Sequence, residues 1–100
     1  MQFEWNEQKR GETLARRGVD ILYAALIFEH QVLTRVDDRQ DYGEIREISL
    51  GMVDGEAFVV VHTSRGDVTR LITAWKGGLD ERREYEAGIA RRSSADEGRG

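Results

Sequence analysis

An α+β fold follows from three features of this 100-residue chain. A β-prone stretch runs from Ile45 to Ala74 and is broken twice by turn residues. The run ILYAALIF at 21–28 is apolar on every side. The elements read in the order strand, helix, helix, three strands, helix, with no internal repeat. The predicted architecture is a small antiparallel sheet, a three-stranded meander plus a short N-terminal strand, packed with two N-terminal helices and one C-terminal helix. Hydrophobic residues make up 39% of the chain, enough for one core and too many for a disordered polypeptide. Residues 1–90 are expected to form a single domain and 91–100, RRSSADEGRG, a disordered tail.

Each element has a local cause. Met1 to Trp5 alternates, with Phe3 and Trp5 on one face, as a half-buried strand does. Asn6 is an N-cap for a helix from Glu7 to Arg16, whose only apolar residues of note are Leu14 and Ala15, so it buries little. Gly18 suits the position after that helix, and Arg16 and Arg17 complement the negative end of its dipole. Asp20 caps the second helix, Ile21 to about Phe28, which belongs in the core. Thr34 to Gly43 has no apolar period and reads as a polar loop.

Ile45 to Met52 alternates and places Arg46, Ile48 and Leu50 on one face. Asp54 and Gly55 supply the positive φ of a tight hairpin. Ala57 to Thr63, AFVVVHT, is the most β-prone segment and reads as a central strand. After a turn at Arg65, Gly66 and Asp67, the chain returns through Val68 to Ala74, and Gly77 and Gly78 end the sheet. Asp80 is the expected cap of a last helix that runs through Tyr85 to Ala90.

Composition excludes several chemistries. With no cysteine there is no disulfide framework, thiolate nucleophile or cysteine-based zinc site. Glycine-cradle nucleotide motifs and HExxH are absent, so no cofactor or metal is expected. Asp37, Asp38 and Asp41 read as a solvated acidic loop rather than a cation site. No apolar run reaches 18 residues and the first ten residues lack a secretory h-region, so the expectation is a cytoplasmic protein without a membrane partner. The net charge of -4 argues against a protein that wraps polyanions over its whole surface, such as a stand-alone nucleic-acid-binding domain.

Local charge tells a different story. Residues 59–76 hold Arg65, Arg70 and Lys76 against Asp67 alone, a balance of +2. With Arg46 they form a candidate phosphate clamp, because guanidinium groups match phosphate oxygens in pairs and keep their charge. His62 supplies a proton-transfer group, and Arg46, His62 and Arg70 are expected to share one face of the sheet. RNA brings its own nucleophile in the 2′-hydroxyl, so cleavage without a metal needs a base and cations for the charged transition state. Lys9, Trp75, Glu81 and Arg82 are weaker candidates for substrate binding, Trp75 by stacking on a base.

Order and spacing of these residues resemble the BrnT family of bacterial type II toxin-antitoxin toxins over about residues 3–86. The matching residues are Phe3, Glu4 and Trp5, then Lys9, Gly18 and Val19, and the apolar helix ending at Phe28. Arg46 follows, with the run Val59 to Val61 leading into His62, Thr63, Arg65 and Gly66. Arg70 to Ala74, Lys76, Glu81, Arg82 and Tyr85 complete the pattern. The resemblance implies a RelE-like ribonuclease that inhibits translation and pairs with a BrnA-like ribbon-helix-helix antitoxin. With that partner it would repress their shared promoter, the antitoxin alone reading DNA. It also leaves an alternative, a catalytically weakened homologue that serves as a non-enzymatic antitoxin-binding module. Arg17 stands where the family pattern has histidine, Thr13 where it has asparagine, Trp75 where it has arginine, and Gly77 and Gly78 where it has Ala-Thr.

Overall fold

The computed structural model describes residues 1–97, with side chains through 93. Its elements are β1 (Gln2–Trp5), α1 (Glu7–Arg17), α2 (Ile21–Ala24) continuing as a 3-10 turn (Ala25–Glu29), β2 (Leu33–Val36), β3 (Glu47–Val53), β4 (Glu56–Arg65), β5 (Val68–Lys76) and α3 (Leu79–Glu97). The strands form a single five-stranded sheet in the order β1-β5-β4-β3-β2.

The α+β class holds, but the sheet is mixed rather than antiparallel. The meander β3-β4-β5 is antiparallel as expected, whereas β1 lies parallel to β5, with Glu4 opposite Arg70 and Trp5 opposite Leu71. Chain direction explains this: β1 enters α1, which crosses over before the meander begins, so β1 returns beside β5 in the same sense. The fifth strand, β2, occupies the first residues of the stretch expected to be loop. It is four residues long and its pattern is mostly exposed, which leaves no apolar alternation to read. In its register on β3, Thr34 stands opposite Ser49, and the two hydroxyls lie 2.7 Å apart across the pair.

The N-terminal helices form as their caps dictate. Asn6 Oδ1 accepts from Lys9 N at 3.0 Å, and Gly18 closes α1 at φ 67. Asp20 accepts from Leu22 N and also takes a two-pronged bond from Arg10, each contact 2.9 Å. That guanidinium holds the Asp20 carboxyl below its ordinary range, so one side chain caps α2 and ties it to α1. The first core lies between these helices and the sheet, with Ile21, Ala24, Ile27, Phe58, Val60 and Leu71 buried in it.

A second apolar layer, Ile48, Leu50, Val59 and Val61, covers the opposite face. There α3 lies across β2: a Cβ at Gly88 would run into the Leu33 side chain, and Tyr85 Oη donates to Gln31 O at 2.7 Å. The expected cap for α3 is corrected. Asp80 lies within the first turn, and the reciprocal bond comes from Gly78 N to Glu81 Oε2 at 3.0 Å. The helix also continues through Glu97 where a tail was expected, since residues 91–97 contain neither glycine nor proline to stop it. The rest of that stretch, 98–100, lies outside the described residues. Among the described residues, no helix is long and apolar enough to cross a membrane.

Candidate active site

Three arginines meet at one end of the sheet, on the face that carries α3. Arg70 in β5 lies opposite Thr63 of β4 and Glu4 of β1. Arg65, two residues beyond Thr63, shares its face by strand alternation. Arg46 enters β3 beside them, where Thr63 Oγ1 donates to Ile45 O at 2.6 Å. Two carboxylates sit among them. Glu4 Oε1 is 3.6 Å from both Arg65 Nη1 and Arg70 Nη1, while Glu44 reaches Arg46 Nε at 3.5 Å and Arg65 Nη2 at 3.7 Å. The Arg46 guanidinium also stacks on Tyr42, 4.1 Å from the ring centroid.

The spacing of these ion pairs separates them from the structural arginines. Arg10 and Arg39 each grip one aspartate with two bonds of 2.7–2.9 Å. The four pairs around Arg46, Arg65 and Arg70 all lie at 3.5–3.7 Å. Glu4 Oε1 and Arg46 Nε are buried without a hydrogen bond. The cluster is therefore charged, partly exposed and rich in unspent donors, three cations against two anions. Such a site can take an anion with several oxygens, and phosphate fits that geometry.

His62 is not part of it. It neighbours Thr63 in β4 and so faces the other way, packed edge-on against Phe28 with centroids 5.1 Å apart. Its Nε2 lies 2.7 Å from Ser49 Oγ, the residue is 6% exposed, and Nδ1 is buried without a partner. Burial lowers its pKa from the ordinary histidine value, only partly opposed by the negative charge of Glu47. The expectation that Arg46, His62 and Arg70 share a face is thus corrected: the two arginines do, and the histidine lies behind the sheet.

The remaining candidates are dispersed. Lys76 stands at the far end of β5, about 20 Å from Arg70 at 3.3 Å per residue, and pairs with Glu56 at 3.4 Å. Lys9 lies exposed on the first turn of α1. Arg82 bonds Glu86 and the Gly55 carbonyl. Glu81 caps α3 and, with Trp75, lines a groove of about 380 Å³ between α3 and the sheet. Trp75 is half-buried there, with the Arg17 and Arg39 guanidinium carbons 5.1 and 5.8 Å from its ring centroid. Arg17 and Trp75, two of the departures from the family pattern, therefore touch one another.

Several participants are invisible to motif reading. Glu4 reads as the polar side of a strand and as part of the opening Phe3-Glu4-Trp5 of the family resemblance, with no role attached, and Glu44 and Tyr42 read as loop. Asp37 is not solvated: it is 3% exposed, and its bonds from Arg39 hold its carboxyl well below the usual range. The one available signal is the parity of Glu4 and Arg70 within strands that turn out to be neighbours.

A small mixed sheet with helices on both faces and an arginine cluster at one end makes this an α+β domain with a charged site on one face. Residues 5–78 match the family described as ribonuclease toxin, BrnT, of type II toxin-antitoxin system, and the chain belongs to that family. A search among curated proteins finds no match.

Proposed function

We propose that this chain cleaves RNA without a metal, by attack of the substrate's 2′-hydroxyl on the adjacent phosphate, and thereby inhibits translation in the cytoplasm. The observation that supports this reading is the set of unspent donors on Arg46, Arg65 and Arg70, gathered on one face around Glu4 and Glu44. A transition state with extra negative charge on phosphorus gains most from such fixed cations. In this reading Arg46, Arg65 and Arg70 bind and stabilise phosphate, and Trp75, Lys9, Glu81 and Arg82 lie outside the reacting centre. His62 keeps a structural role, and Lys76 stands too far along β5 to touch the same phosphate.

Family membership implies an antitoxin partner. We infer that it is a ribbon-helix-helix protein, which reads promoter DNA with its own β-ribbon and leaves this chain of net charge -4 free of DNA contacts. One observation favours the alternative of a weakened, non-enzymatic antitoxin-binding module: the histidine is turned away from the arginines. Expression of the chain alone separates the two. The ribonuclease reading expects growth arrest and RNA fragments that end in 2′,3′-cyclic phosphate. A harmless chain that leaves RNA intact, but tightens the antitoxin's gel shift on its promoter, establishes the module instead.

A further inference from the structure

We propose that Glu4 is the general base of this cleavage, acting through its Oε2 on the 2′-hydroxyl, an inference that rests on the ribonuclease reading above. A base in this site must lie beside the arginines, hold an oxygen free for a proton and stand on a fixed element. His62 fails the first condition, being on the other face and bonded to Ser49. Asp37 fails the second, since both of its oxygens are taken by Arg39 at 2.7 Å. Glu44 divides its two oxygens between Arg46 and Arg65 and sits on the irregular segment before β3.

Glu4 meets all three conditions. It belongs to β1, in register with Arg70, so its backbone is held by the sheet. A single oxygen, Oε1, is buried and faces both Arg65 and Arg70 at 3.6 Å. The side chain nevertheless keeps 40% of its surface exposed, so only one of its two oxygens is shut away. This places the Glu4 carboxylate next to the two guanidinium groups that would receive the phosphate, where a general base is needed.

In the proposed step the carboxylate takes the 2′-hydroxyl proton as that oxygen bonds to phosphorus. The bond from phosphorus to the 5′-oxygen breaks, the leaving oxygen takes a proton from water, and a 2′,3′-cyclic phosphate and a 5′-hydroxyl result. Glu4 returns its proton to water, and nothing is oxidised or reduced. Arg65 and Arg70 hold the phosphoryl oxygens throughout.

Glu4→Gln preserves size and removes the basic oxygen. With the free chain, kcat for RNA cleavage is expected to fall about 10²- to 10⁴-fold. Binding of a 2′-deoxy analogue, which cannot react, should stay unchanged or tighten, because the arginines lose a competing anion. Glu4→Asp should restore part of the rate. Retention of cleavage by Glu4→Gln, or loss of analogue binding in parallel with rate, overturns the proposal and makes Glu4 a spacer for the arginines. If Glu4→Gln does not fold, the wild-type rate profile decides. A rate that falls toward acid as a carboxylate protonates supports the base, and a flat profile overturns it. A wild-type chain that binds the analogue yet cuts no RNA sinks the ribonuclease reading itself.

Discussion

His62 and Thr63 are adjacent in β4, yet they belong to two different chemical regions. On the His62 side, Thr34, Ser49 and His62 make a chain of two 2.7 Å contacts under Phe28. On the Thr63 side, Arg46, Arg65 and Arg70 stand around two glutamates with no contact shorter than 3.5 Å. The first region spends its polar groups on itself, and the second holds them in reserve. The packed face and the face of the proposed phosphate site are thereby separated by a single residue step, because strand alternation sends neighbours to opposite faces. Titratable character alone does not locate chemistry here: His62, a residue type suited to neutral-pH proton transfer, is buried on one face, while the three arginines gather on the other.

Arg70→Ala is the sharpest way to test that separation. It removes a guanidinium from the proposed reacting centre, and loss of one such electrostatic group costs roughly 10²- to 10³-fold in kcat. Its partner Glu4 remains partly exposed, so unfolding midpoints should hardly move. Single-turnover cleavage and a thermal melt, run side by side, check both halves. A large drop in stability would place Arg70 in the structural region instead.

His62→Ala makes the converse change. It empties a site packed on Phe28 and takes from the buried Ser49 hydroxyl one of its two partners, so stability should fall by about 2–4 kcal/mol. Activity per folded molecule should stay near wild type, as measured below the unfolding transition. Loss of kcat with an intact fold would return the histidine to the catalytic region.

The pH dependence of stability sharpens the same contrast. His62 is held neutral by burial, its folded pKa below its unfolded one. The unfolded chain therefore binds more protons below about pH 6.5, and stability is present above that value and lost as pH falls through the depressed folded pKa. Asp20 and Asp37, lowered by their arginine partners, add losses only near and below pH 3.8. Urea midpoints between pH 7.5 and 5 should slope downward toward acid in the wild type, and less so in His62→Gln. Equal slopes in the two proteins would show that the histidine is not the titrating group.

Much of the fold is legible in the residues because local rules agree there. Asn6, Gly18 and Asp20 act as caps, and the Asp54-Gly55 turn takes φ values of 48 and 79. What escapes a sequence reading is long-range. The parallel pairing of β1 with β5 depends on a crossover, and Glu4 meets Arg65 and Arg70 only through it. The bulge between Val61 and His62 shifts the β4-β5 register, so faces cannot be counted from one end of the meander to the other. Arg46 and Arg70 nevertheless share a face, as their residue type and strand position lead one to expect. His62 misleads because its chemistry is apt while its parity is wrong.

Thr34→Val carries the smallest expected effect and bears on both regions at once. Thr34 lies in β2, the strand that composition hides, and its hydroxyl is the outer link of the chain through Ser49 to His62. Valine keeps the branched shape that a strand favours and removes one hydrogen bond, so about 1 kcal/mol of stability should be lost. If the three side chains act as one polar chain, the loss should be larger when His62 is already alanine, since Thr34 is then the side-chain partner left to the buried Ser49 hydroxyl. A double-mutant cycle measures that coupling. Strict additivity would mean that the three side chains act separately, and that β2 is held in place by α3 rather than by the polar chain beneath it.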